Sequence, residues 1–206
     1  MARQKRPVVM ELKDGQPTFY PSSPEAWRQW LLEHHATEKN IWLIFYNKNS
    51  GVPSLSYDQA VDIALCFGWI DSKANKRDEQ SRYQFFARRN PKSKWSRVNK
   101  LKIERLSAEG LMHPAGLAAV ELAKQNGNWN ALDDVEDLIV PPDLQQLLDA
   151  DPQAGRHFNT FPRSAKRAIL EWISSAKQPE TRQRRIVETA TLAAKNVRAN
   201  QYVKKT

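Results

Sequence analysis

The chain has 206 residues, 40% of them apolar and 9% aromatic, with seven tryptophans, one cysteine and a net charge of +9. A chain this long buries roughly 70% of its extended surface on folding, so wholesale disorder is excluded; the lone Cys66 excludes a disulfide scaffold and a cysteine zinc site. No apolar run approaches the ~18 residues of a membrane helix, and the basic N-terminus lacks the apolar core of a secretory signal, so a reduced, cytoplasmic setting is expected.

Residues 1–6 read as a basic tail. Residues 8–12 and 17–20 flank Lys13-Asp14-Gly15-Gln16, a hairpin signal. Ser23 and Pro24 mark a helix start, with Trp27, Trp30, Leu31 and His34 on one face. Ile41-Trp42-Leu43-Ile44-Phe45-Tyr46 predicts a buried strand. Ser56 with Gln59 forms a capping box opening a helix through Phe67, which Gly68 ends.

Residues 69–77 and 82–89 predict a second hairpin, with Tyr83, Phe85 and Ala87 opposite Arg82, Gln84, Phe86 and Arg88. Asn90-Pro91 breaks it. Ser96 caps a helix over 97–109, and Pro114 opens another that stops at Gly127. Helices then start at Pro142, Pro152, Pro162 (to near Lys177) and Pro179 (to about Asn196). The Pro162 helix carries an Ala165, Ile169, Trp172, Ile173, Ala176 stripe. The last carries Ile186, Val187, Ala190, Ala193 and Ala194.

The expected class is α+β, mostly helical, with a small antiparallel sheet of hairpins and a helical C-terminal segment. The expected organisation is a tail and first strand over 1–17, an α+β core over 18–130, an acidic linker or cover over 131–151, and a helical segment over 152–206.

Charge is blocked along the chain. Residues 1–68 are neutral, 69–105 carry +8, 106–155 carry −8 and 156–206 carry +9. Two readings follow: internal pairing of acidic with basic blocks, or an exposed basic block that attracts an anion, a nucleic acid or an acidic protein surface. Arg182-Gln183-Arg184-Arg185 opposes its own helix dipole, so pairing with the acidic block is expected of it.

Glycine-rich phosphate loops and a G-x-S-x-G elbow are missing, so no cofactor motif is read. Ser174-Ser175-Ala176-Lys177 matches S-x-x-K without its partner motifs. Among the histidines only His34 and His35 are close in sequence, and adjacent helical residues diverge by about 100 degrees, so no metal site is read. Cys66 reads as a small hydrophobe.

Two stretches stand out. In Leu65-Cys66-Phe67-Gly68-Trp69-Ile70-Asp71, Trp69 and Asp71 form either a packed corner or one wall of a ligand site. Asp71, beside Lys73, Lys76 and Arg77, is expected to stay ionised and to orient an arginine or accept a ligand hydrogen bond. Arg88, Arg89, Lys92, Lys94 and Arg97 surround Trp95 and lead into Ser96 and Asn99 at a helix start. Arginine grips phosphate or carboxylate, and tryptophan stacks on bases or cations. The alternative is a solvated loop with Trp95 as a core anchor.

These stretches, with Glu109-Gly110-Leu111-Met112, Pro114-Ala115-Gly116-Leu117, and Trp172-Ile173-Ser174-Ser175-Ala176-Lys177-Gln178-Pro179-Glu180-Thr181-Arg182 followed by Arg185-Ile186, resemble the YdeI/OmpD-associated family over residues 18–196. Ser72 departs from a commonly glycine-type position, and Ala87-Arg88-Arg89 lacks a threonine-proline often seen there. The resemblance implies a bacterial stress or bacteriocin-tolerance protein and brings no reaction, cofactor or catalytic residue. Its porin association, implied by name only, stands against the missing signal. The leading expectation is a non-enzymatic binder of an anionic partner through Trp69, Asp71, Arg88, Arg89, Lys92, Lys94, Trp95, Ser96 and Asn99. The alternatives are an enzyme on a small phosphorylated or carboxylated substrate, using Asp71 or Cys66, and a nucleic-acid binder without sequence preference.

Overall fold

The computed structural model describes residues 11–201, so the basic tail and residues 8–10 of the first expected strand lie outside them. The chain divides into two compact units, residues 1–129 and 130–206.

Among the described residues the first unit holds a five-stranded sheet and four α-helices. β1 (Leu12–Lys13) and β2 (Gln16–Phe19) form the expected hairpin. Asp14 (φ 53°) and Gly15 (φ 73°) supply the left-handed pair that a tight primed turn needs. α1 (Pro24–His34) begins where Ser23 accepts from Ala26 N, and buries Trp27, Trp30 and Leu31. It returns the chain so that β3 (Asn40–Tyr46) runs parallel to β2, Thr18 facing Trp42 and Phe19 facing Leu43. This corrects the all-antiparallel expectation: a crossover helix, not a tight turn, joins these two strands.

α2 (Tyr57–Cys66) opens on the Ser56–Gln59 capping box. β4 (Trp69–Lys76) and β5 (Ser81–Arg88) form the second hairpin, and the sheet order is β1-β2-β3-β5-β4. α3 (Arg97–Ala108) and α4 (Pro114–Gln125) complete the unit. Strand alternation explains the unbroken apolar run of β3, which is buried on both faces. Ile41, Leu43 and Phe45 join Phe86, Trp69 and helix residues such as Trp27, Leu65 and Ile103 in the main core. Trp42 and Ile44 join Tyr83 in a smaller cluster with Phe85 beside it.

The second unit is helical: α5 (Asp133–Glu136), α6 (Pro142–Ala150), α7 (Pro152–Thr160), α8 (Arg163–Ser174) and α9 (Pro179–Ala194). Its core includes Leu144, Leu148, Phe158, Ile169, Ile173 and Ile186. Of the α9 stripe, Val187 instead lies on the surface at 45% exposure. α8 stops short of Lys177: Ala176 N turns to Ile173 O, while the Trp172 carbonyl accepts from Ser175 Oγ and from the Arg185 guanidinium.

The 131–151 stretch, expected as an acidic linker or cover, contributes side chains to a core. Leu132, Val135, Leu144 and Leu148 enter the second core. Glu136 pairs with Arg167, and Asp143 with Arg182, so acidic and C-terminal basic residues complement each other within one unit. No helix among the described residues is long and apolar enough to cross a membrane.

Candidate functional site

The conspicuous motifs of the first unit converge on α4. At the end of α2, Gly68 turns the chain at φ 72°, and a β-carbon there would meet Ala115 O and Ala119 Cβ at 3.1 Å. Gly116 comes closer still: its β-carbon would lie 2.6 Å from the Cys66 carbonyl carbon and 2.9 Å from Leu65 O. His113 N donates to Cys66 O at 3.0 Å. The 65–71 and 114–117 motifs are therefore two sides of one packed corner.

From that corner Arg89 N donates to Gly68 O at 2.9 Å. Its side chain then lies over Trp95, guanidinium carbon 3.7 Å from the ring centroid. Nη2 donates to Lys94 O at 2.6 Å, while the buried Nε has no partner. No carboxylate pairs with Arg89 among the described residues, and burial alone pushes its pKa down to about 10. It stays cationic at neutral pH, desolvated and under-bonded.

Arg89 lines a pocket of about 200 Å³ with Pro91, Trp95, Ala118, Ala119 and Leu122. The small α4 side chains leave the space, and the walls are largely apolar. The loop beneath is fixed in place. Pro91 O accepts from the side chains of Asn126 and Asn128, both at 2.9 Å, and Trp95 N donates to Asn128 O. The Asn126-Gly127-Asn128 turn and paired alanines were the available sequence signals for this wall.

The other expected site residues separate. Trp69 is 1% exposed and packs edge-on against Trp30 in the core, so it forms no ligand wall. Asp71 forms no ion pair with Lys73, Lys76 or Arg77 among the described residues; it accepts from Tyr57 Oη at 2.7 Å and Gln84 Nε2 at 3.2 Å. A register shift between Asp71 and Ala74 re-aims the strand, leaving Lys73 over Trp42 and Phe85. Arg88 is spent on the carbonyls of Glu38 and Ala36, tying β5 to the turn after α1. Ser96 caps α3 by accepting from Asn99 N. Lys94 offers its carbonyl to Arg89, and Lys92 is exposed beside the pocket loop.

Much of the basic block is already paired. Arg77 bonds Glu11 and Asp78, Lys102 bonds Asp58 and Asp62, and Arg105 bonds Asp62 and Glu109. The Cys66 thiol is buried, and burial pushes its pKa up, which disfavours the thiolate.

A histidine cluster went unread because its members are distant in sequence. His113 stacks on Phe67 at 4.7 Å, meets His35 at 4.6 Å, and its Nδ1 accepts from Ala115 N to cap α4. Burial, then His35 and Arg28, hold its pKa below 6.5. The unfolded chain thus binds more protons than the native one in this range. Stability from this group is full above about pH 6.5 and is lost as pH falls towards the lower native value. We expect the denaturant midpoint of the tryptophan transition to fall between pH 7.5 and 5. His113→Asn, which keeps a cap without titrating, should shrink that fall.

Residues 19–119 match the model of a domain of unknown function (DUF8412). The Arg89 loop lies inside that match, with Ala118 and Ala119 of its α4 wall, while Leu122 and Ala123 lie beyond it. No curated protein and no solved structure matches the chain. The resemblance read over residues 18–196 is met only in part: residues 137–196 match the family described as Bacteriocin-protection, YdeI or OmpD-Associated, while the first-unit motifs it also rested on lie in the other match.

Proposed function

We propose that the protein is a bacterial, cytoplasmic YdeI-type tolerance protein whose first unit binds a small organic anion in the Arg89 pocket. The observation that carries this reading is the Arg89 guanidinium: desolvated, without a carboxylate partner among the described residues, its Nε unbonded, at the wall of a cavity. An incoming carboxylate would offset that desolvation by placing a counter-charge beside the guanidinium. The apolar lining suits a ligand with a compact apolar body.

Two observations favour this over the alternatives. The pairing of Arg77, Lys102 and Arg105 interrupts any continuous track for a nucleic-acid backbone. Asp71 and Cys66, the residues an enzyme reading would use, are respectively bonded to Tyr57 and Gln84 and buried beneath α4.

The test is calorimetric titration of the full chain with benzoate, followed by thermal shift. We expect binding that raises the unfolding midpoint and depends shallowly on salt. Arg89→Gln should weaken it about tenfold or more, the scale of a charge-assisted hydrogen bond. Lys92→Ala should change it little. Binding unaffected by Arg89→Gln would remove the pocket from consideration. Tight binding to generic nucleic acid with a steep salt slope would favour the backbone-binding reading instead.

A further inference from the structure

A second cavity lies in the first unit, lined by residues from the end of β3, the loop after it, the start of α2 and β5. It encloses about 590 Å³, within the range of sites for metabolite-sized ligands. Phe45 and Tyr57 supply rings, Ser54 and Ser56 hydroxyls, and Lys48 and Arg82 cationic ends. No carboxylate lines it, and neither cation forms an ion pair among the described residues. Arg82 is half-buried and lies against the Phe45 ring at 5.2 Å.

The polar groups here are held in place. Tyr57 Oη donates to Asp71, whose same oxygen accepts from the buried Gln84 amide. That fixes the phenol, and its proton is retained because burial and Asp71 push the Tyr57 pKa up to about 12. Ser54 Oγ accepts from Tyr46 N at 3.3 Å, anchoring the loop to the strand. All of the lining residues but Arg82 fall within residues 45–59, and β5 brings Arg82 to them.

We propose that this cavity binds a phosphate monoester carried on a hydroxylated ring body, the chemical class of a sugar phosphate. Two cations without a carboxylate match a dianion better than a single carboxylate. The serine hydroxyls match ligand hydroxyls, and the rings of Phe45 and Tyr57 match the apolar face of a sugar ring. This site is separate from the Arg89 pocket and does not depend on it. Its volume and polar lining also set it apart from that smaller, apolar one.

The test is titration of the full chain with ribose 5-phosphate, alongside ribose and inorganic phosphate. We expect ribose 5-phosphate to bind at least tenfold more tightly than either fragment. Arg82→Gln should weaken it at least tenfold, and Arg89→Gln should leave it unchanged. Lys48→Gln, at an exposed rim position, should weaken it several-fold and decides the matter if Arg82→Gln disturbs folding. Absence of binding, equal binding of phosphate alone, or full affinity in folded Arg82→Gln and Lys48→Gln would each overturn the proposal. So would loss of binding in Arg89→Gln with retention in Arg82→Gln.

Discussion

Gly116→Ala is expected to destabilise the first unit by about 2–3 kcal/mol, the scale of overpacking in a closed interior. In an ordinary helix the same change would stabilise by up to ~1 kcal/mol, because alanine is the better helix former. Here the added carbon would lie 2.6 Å from the Cys66 carbonyl carbon and 2.9 Å from Leu65 O. Those are backbone atoms at the end of α2, and backbone gives way only by moving a whole element. α4 would have to retreat, stretching the His113 N to Cys66 O hydrogen bond. Because Ala118, Ala119 and Leu122 of α4 wall the Arg89 pocket, the same retreat should weaken benzoate binding. Chemical denaturation followed by tryptophan fluorescence, with titration of the folded fraction, reads both effects. A variant as stable as the parent would show that α4 does not dock through this glycine. Gly155 gives a milder comparison, since its β-carbon would meet only Leu148 O and C, at 2.9 and 3.7 Å.

The local architecture was legible where chemistry is local. Ser23-Pro24, the Ser56–Gln59 box, Ser96 and Asp14-Gly15 each mark a boundary through one side-chain bond or one backbone conformation. The parallel pairing of β2 with β3 was not legible, because strand direction follows from how α1 packs and leaves no mark in the strands themselves. The site was half legible. Arg88 and Arg89 look alike in sequence, yet successive residues of an extended chain point to opposite sides. Arg88 turns to the carbonyls of Ala36 and Glu38, and Arg89 to Trp95. For Trp69 the sequence left a packed corner and a ligand wall both open, and Trp30 packs against it in the core. The glycine inside Pro114-Ala115-Gly116-Leu117 was the one readable hint of close helix packing.

Ile169→Ala should cost the second unit about 2–5 kcal/mol, because a fully buried branched side chain leaves both lost transfer energy and a cavity. Ile169 lies at 0% exposure in a core that shares no residue with the main core of the first unit. The distribution of tryptophan makes the prediction selective. Of the seven, only Trp172 belongs to the second unit, half-buried beneath the Arg185 guanidinium at 4.9 Å. In a Trp172→Phe background the remaining fluorescence reports the first unit alone, while helical circular dichroism draws on both. Adding Ile169→Ala there should bring an early loss of helical signal at lower denaturant and leave the fluorescence midpoint in place. A fluorescence midpoint that moves by the same amount would show that the two cores melt as one cooperative body. The match of residues 137–196 to a family of their own would then describe a sequence unit and not a folding unit.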